Sequence, residues 1–127
     1  MNKLILIALG GAAGSVLRYL VAGWMQKLFD TQFPVGTLTV NVTGCLCIGV
    51  LAAIFAGPHL LREEYKLALT IGVLGGFTTF STFGLETFKF INEGQWGRAA
   101  LNVLLSNGVC LIAVWLGYRI TERIVGV

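Results

Sequence analysis

Among the apolar runs of this sequence, the third holds the densest group of candidate functional residues, at residues 72–83. Two adjacent glycines, Gly75 and Gly76, precede the β-branched Thr78 and Thr79. Such a sequence weakens a helix at its middle, and in a bilayer the freed carbonyl oxygens persist only if buried partners or an ion satisfy them. Carbonyl oxygens are natural ligands for a small hard cation. The segment therefore predicts a helix that is broken at its centre and able to hold an ion.

Two phenyl rings and three hydroxyls accompany the expected break. Phe80 and Phe83 are three residues apart, so they share one helical face. The edge of an aromatic ring is positive and can contact an anion inside an apolar wall, although rings at this spacing also serve in packing alone. The interleaved hydroxyls of Thr79, Ser81 and Thr82 favour the anion site.

Further candidate donors lie on the first two apolar runs. Thr37 and Asn41 are one helical turn apart, and the Asn41 amide could donate two hydrogen bonds to an anion or form an interhelical bond instead. Arg18 would cost roughly 2.5 to 3.5 kcal/mol at the centre of an isolated span, so it should face protein, water or an anion. Its place near the end of a run also allows it to snorkel.

The last apolar run carries a thin polar stripe, because Asn102, Ser106 and Cys110 recur every four residues. This stripe could face a pore. Cys110 and the two other cysteines, Cys45 and Cys47, lie inside apolar runs without the paired spacing of a zinc or redox site, so packing or pore lining is expected for them. His59 follows Pro58 in a loop and carries no functional prediction.

The elements that position these residues are four long apolar runs. The chain has 127 residues, 56% of them hydrophobic and 12% charged, and its mean hydropathy of +0.82 is far from that of water-soluble domains. The spans are predicted at approximately residues 3–27, 35–58, 65–91 and 97–122, each near the roughly 20 residues that cross a bilayer. We expect an all-α membrane protein forming a single membrane domain over residues 1–127, with no extramembrane catalytic unit and no enzyme activity.

The nine Lys and Arg residues are scattered singly at the ends of the runs, which argues against a nucleic-acid surface. If both termini share one side, that side carries five of them and the opposite side three, with Arg18 inside a span. So small a bias gives the positive-inside rule little to act on, and insertion in both orientations becomes possible. Up and down copies could then pair as an antiparallel homodimer.

GxxxG spacing at Gly10 and Gly14, and at Gly72 and Gly76, predicts tightly packed helix faces.

Three strings in this chain resemble one known family. GGAAGSVLRY at residues 10–19, GTLTVN at residues 36–41 and GGFTTFSTF at residues 75–83 are similar to the bacterial fluoride channels called Fluc or CrcB proteins, in order and spacing. The resemblance covers the full length. It implies an antiparallel dual-topology homodimer with two narrow pores in the bacterial cytoplasmic membrane. It also implies passive, fluoride-selective export that lowers the toxicity of fluoride entering the cell as the neutral acid.

The resemblance also assigns roles to particular residues. A structural sodium ion at the dimer interface would be held by main-chain carbonyls of Gly75 and Thr78, in agreement with the expected break. The resemblance makes Phe80 and Phe83 the pore phenylalanines, Asn41 the pore asparagine and Arg18 the vestibule arginine. It makes Glu86 a third-helix glutamate that is not expected to bind the anion directly. The fourth-helix polar track would consist of Asn102, Ser106 and Cys110.

Two other classes of protein remain as alternatives. Small multidrug exporters are also four-span, dual-topology dimers, but proton coupling requires an acid deep in a span. The first span here offers Arg18 and no acid, and Glu86 lies towards the end of the third. A non-conducting assembly subunit would account for the glycine-rich faces but would leave the polar third span unexplained.

Overall fold

The computed structural model describes residues 2–58 and 60–126, so His59 lies outside the described residues. Within this part of the chain, four helices are long and apolar enough to cross a membrane. They are the first span, Asn2–Phe29, the second, Val35–Ala56, the third, Glu63–Asn92, and the fourth, Trp96–Val125. The prediction of an all-α, four-span membrane protein is confirmed.

The third span is broken, as predicted, but not at its glycines. It runs as an α-helical turn at Glu63–Leu67, a π-helical segment at Ala68–Leu74, one further turn at Gly75–Phe77 and an α-helix at Phe80–Asn92. Thr78 and Thr79 between them are extended, with φ/ψ of −91°/159° and −152°/119°. The glycine pair stays helical, so the strand-like stretch consists of the two β-branched residues, which favour extended backbone.

The glycine pattern serves helix packing between the first and third spans. A β-carbon at Gly10 would lie 2.6 Å from the Ala68 carbonyl oxygen, and one at Gly76 would lie 2.6 Å from the Gly11 carbonyl oxygen. A β-carbon at Gly14 would overlap the Val73 carbonyl. The two backbones therefore approach closely only because side chains are absent, which confirms the predicted tight faces.

The second and fourth spans pack side by side through another pair of glycines. A β-carbon at Gly49 would overlap the Val114 carbonyl, and one at Gly117 would overlap the Leu46 carbonyl. Arg98 near the start of the fourth span donates to Gln32 just before the second, and Gly49 contacts Val114 further along both, so the spans run parallel with an offset of about 65 to 70 residues. This register places Asn41 at the level of Ser106 and Cys45 at the level of Cys110.

Candidate functional site

The break in the third span is held by the side chain of Asn41 on the second span. The Asn41 Nδ2 donates to the Thr79 carbonyl oxygen at 3.0 Å, and the Thr79 N–H donates to Asn41 Oδ1 at 2.8 Å. The amide thus replaces the neighbouring peptide group that an extended residue would pair with in a sheet. Of the two roles considered for Asn41, the structure contains the interhelical bond, and one N–H of its amide remains for another acceptor.

Thr79 also caps the helix that follows the break. Its hydroxyl accepts from the Thr82 N–H at 3.2 Å, donates to the Thr82 hydroxyl at 3.1 Å and lies 3.4 Å from the Ser81 hydroxyl. A threonine N-cap satisfies one of the amides that a helix start leaves free. The hydroxyls predicted to accompany the phenyl rings therefore form one connected group.

These bonds leave two carbonyl oxygens without their helical donors. In an unbroken helix the carbonyls of Gly75 and Thr78 would accept from the N–H groups of Thr79 and Thr82. Here the Thr79 N–H donates to Asn41 and the Thr82 N–H donates to the Thr79 hydroxyl. The break thus releases both carbonyls that the resemblance assigns to a cation, together with those of Gly76 and Phe77, whose i+4 donors begin the next helix.

A cleft of about 370 Å³ opens beside the break, lined by the second, third and fourth spans. It brings together most of the predicted site residues: Asn41, Gly75, Thr78, Thr79, Phe80, Phe83, Ser106 and Cys110. The rings of Phe80 and Phe83 have centroids 5.3 Å apart and are tilted by 49°. Phe83 is 8% exposed and Phe80 is 77% exposed, so one ring forms the wall and the other the open rim.

Asn102 does not line this cleft but supports it. It is 1% exposed, its Nδ2 donates to the Thr87 hydroxyl at 2.9 Å, and its Oδ1 accepts from the Ser106 hydroxyl at 3.3 Å. The Thr87 hydroxyl in turn donates to the Phe83 carbonyl at 2.8 Å. The chain of bonds orients Ser106 and ties it to the helix that carries Phe83.

A second cavity of about 380 Å³ lies near the turn between the third and fourth spans. Its lining includes Glu86, Lys89, Gln32 and Gln95, and is more polar than the cleft. The Oε1 atom of Glu86 is buried without a hydrogen-bond partner among the described residues. The cavity is therefore a polar opening that lies one to two helical turns from Phe83.

Like Asn102, the predicted residues Arg18, Ser81 and Thr82 lie outside both cavities. Arg18 is half-buried on the first span, which contributes no residue to the cleft lining, while Ser81 is exposed and Thr82 is turned into the capping group. Sequence reasoning left out Thr87 and did not place Cys45 and Asn107 in the site. Thr87 lies one helical turn after Phe83, but this spacing identifies Thr87 as a site residue only after Asn102 is known to face it.

The lining offers two amides, several hydroxyls, two thiols and two aromatic rings. Among the described residues that line the cleft, none carries a formal charge. Such a surface can give weak hydrogen bonds and ring-edge contacts to an anion at successive positions without holding it at any of them.

Four long apolar helices among the described residues, the third of them interrupted and lined by uncharged donors at the interruption, define a multi-pass membrane protein. The family model described as "CrcB-like protein, Camphor Resistance (CrcB)" matches residues 5–118. The chain belongs to the CrcB family.

Similar proteins cover nearly the whole chain. A protein of Geobacter sulfurreducens is 48% identical over 124 residues, which is 98% of this chain and 100% of its own length. One of Geobacter metallireducens is 48% identical over 117 residues, 92% of this chain and 94% of its own. One of Shewanella oneidensis is 46% identical over 120 residues, 94% and 96% respectively. Each of the three is named "Fluoride-specific ion channel FluC".

Proposed function

We propose that this protein is a fluoride channel that lets the ion leave the cell passively and so lowers its toxicity. The observation that carries the proposal is the cleft at the break, where Asn41, Ser106 and the two phenyl rings converge without any charged side chain. The name of the similar proteins supports fluoride as the ion. Their bacterial sources support a place in the cytoplasmic membrane.

The composition of the cleft suits a small and strongly hydrated anion. Fluoride gives up its water only if close donors replace it at every step. The free N–H of Asn41 and the edges of Phe80 and Phe83 are such donors, whereas the proton of the Ser106 hydroxyl is donated to Asn102 Oδ1. Because each contact is weak, the ion also leaves each position readily, which conduction requires.

The functional unit in this proposal is an antiparallel homodimer with two pores. The cleft is open on the side of Phe80, and Asn107 on its lining is exposed. Polar groups facing acyl chains are costly, whereas a second copy would cover them with protein. The division of basic residues, five against three, supports insertion in both orientations.

A sodium ion fits the released carbonyls of Gly75 and Thr78. Hard cations prefer oxygen ligands in numbers greater than two, and two copies of the break would supply four carbonyl oxygens. Bound between the copies, the ion would fix their relative position and satisfy backbone groups that no amide reaches. It would have a structural role and would not be transported.

The central test uses the purified full chain in liposomes loaded with fluoride or chloride, without a proton or counter-ion gradient. We expect fluoride efflux and background chloride efflux. Phe80→Ile should slow fluoride efflux about tenfold or more, equivalent to a barrier about 1.4 kcal/mol higher. The matched control is Phe88→Ile, because Phe88 is exposed on the same helix and lies outside the cleft.

Each alternative gives a different result. If fluoride efflux depends on a proton gradient, the protein is an exporter and not a channel. Absence of efflux from folded protein would favour the assembly subunit, and equal chloride flux would remove the selectivity from the proposal.

The sodium ion is tested separately by exchanging all sodium for N-methylglucamine. We expect the dimer fraction, measured by light scattering on a sizing column, and the fluoride flux to fall together. If neither changes, the ion has no part in the structure.

A further inference from the structure

Two cysteines from different spans meet on the wall of the cleft. Cys45 on the second span and Cys110 on the fourth both line it, and both are free thiols of intermediate exposure. Their positions differ by 65, which is also the offset of the Gly49–Val114 contact between the two spans. Neither residue alone would define a site, but the pair presents two sulfur ligands to one space.

The position of the two thiols is set by the backbone. One turn further along each helix, Gly49 lies against the Val114 carbonyl so closely that no β-carbon would fit between them. This contact fixes both the separation and the register of the spans, and Cys45 and Cys110 occupy the corresponding places one turn earlier. Cys45 and Cys110 therefore lie at the same level of their two spans and line the same cleft.

We propose that Cys45 and Cys110 form a two-sulfur site for a soft divalent cation that prefers linear coordination, with mercury(II) as the representative, and that its binding blocks the cleft. Thiolate sulfur selects soft metals. Among the described residues there is no group of three or more His, Cys, Asp or Glu, so the site lacks the ligands of tetrahedral zinc.

The binding step balances without a redox partner. Each S–H bond breaks, two Hg–S bonds form, and two protons pass to water while the metal remains divalent. The product is electrically neutral, which suits a wall surrounded by apolar side chains. A neutral metal group on the wall of the cleft would occupy volume that an ion needs. The blocking effect therefore rests on the proposed function, whereas metal binding does not.

The experiment uses full-length protein carrying Cys47→Ser, because Cys47 is an exposed thiol on a different, apolar pocket. This variant is compared with versions that also carry Cys45→Ser or Cys110→Ser. Mercury(II) chloride is added, the sample is washed with a monothiol, and the mass of the denatured chain is measured. We expect one mercury per chain with the loss of two protons when both thiols are present, and no retained metal when either is absent.

Fluoride flux gives the second readout, with each variant normalised to its own flux before metal is added. A two-point attachment strengthens binding by about 10² or more, so half-inhibition of the two-thiol protein should need about 100-fold less mercury than either single-thiol version. A dithiol wash should restore the flux.

The outcomes separate the two proposals. Metal that is lost equally from all three versions, or a mass that joins two chains, overturns the two-sulfur site. If mercury is retained by a protein that conducts fluoride and the flux does not change, the proposed block is wrong. Absence of flux before metal is added contradicts the channel function and leaves the mass measurement to decide the site by itself.

Discussion

Asn41 shows how one side chain can replace a stretch of secondary structure. Its amide donates to and accepts from the backbone of Thr79 in the manner of a neighbouring strand. An extended residue buried in a bilayer would otherwise expose an unpaired N–H and C=O, each of which costs free energy when buried. The residue therefore contributes to the shape of the site before any ion is considered.

Asn41→Asp should destabilise the protein because a carboxylate cannot donate to the Thr79 carbonyl oxygen. The loss of that bond, with the acceptor left buried, should lower the free energy of unfolding by about 1 to 3 kcal/mol. Denaturant unfolding in detergent, followed by the loss of helical circular dichroism, measures the change.

The matched control is Asn107→Asp on the same cleft. The Asn107 amide is exposed and donates only to the Val103 carbonyl of its own helix. A shift below about 0.5 kcal/mol is expected there, as for surface substitutions in general. Equal shifts for the two variants would contradict the role given to Asn41.

At the scale of the helix, glycines in this chain have unequal roles. Gly14 lies against the backbone of the third span, whereas a β-carbon at Gly23 on the same helix would have no neighbour within 4 Å. A glycine such as Gly14 allows two helix backbones to pack closely, whereas one such as Gly23 has no packing role and is tolerated, as glycine is in many membrane helices. Sequence spacing distinguishes them only where a second glycine follows at four residues.

Gly14→Ala should separate the first span from the third because the methyl group overlaps the Val73 carbonyl. Overpacking of this kind costs about 1 to 3 kcal/mol, measurable as a lower midpoint of thermal or denaturant unfolding. Gly23→Ala should leave the midpoint unchanged or raise it, since alanine favours the helix by about 1 kcal/mol. If both variants behave alike, the close contact is not a source of stability.

Several features of the elements could be predicted from the sequence, and the reasons are local. Four long apolar runs predicted the spans, and the residues around Thr78 and Thr79 predicted that one span is broken. The exact place of the break depends on Asn41, which lies 38 positions away. The π-helical segment Ala68–Leu74 has no local signal, because its geometry follows from packing against Gly10 and Gly14.

The site residues, like the spans, could be predicted from the sequence only in part. Spacing alone placed Phe80 with Phe83 and aligned Asn102, Ser106 and Cys110 on one face. It did not reveal that Asn102 is turned away from the cleft towards Thr87, nor that Cys45 faces Cys110, because both depend on how two spans are set side by side.

At the scale of the whole molecule, the proposed dual orientation can be tested with two variants of opposite bias. The first adds two basic residues at exposed positions on the side of the termini, giving seven against three: Leu60→Lys and Glu63→Lys. The second removes three from that side and adds one opposite, giving two against four: Lys3→Gln, Arg119→Gln, Arg123→Gln and Asn92→Lys.

Each variant should insert in a single orientation and so lack its antiparallel partner. Fluoride efflux from cells should be low with either variant alone and should recover when both are produced together. Full efflux from one variant alone would show that mixed orientation is unnecessary.

Because the amide from the second span already shapes residues 78 and 79 within a single chain, assembly would require little further ordering of the backbone. Two such chains would meet as rigid bodies with their recesses formed in advance, and the entropy lost on association would be mainly translational and rotational. Pairing of this kind should be governed by how often the subunits encounter one another in the plane of the bilayer rather than by a slow rearrangement afterwards.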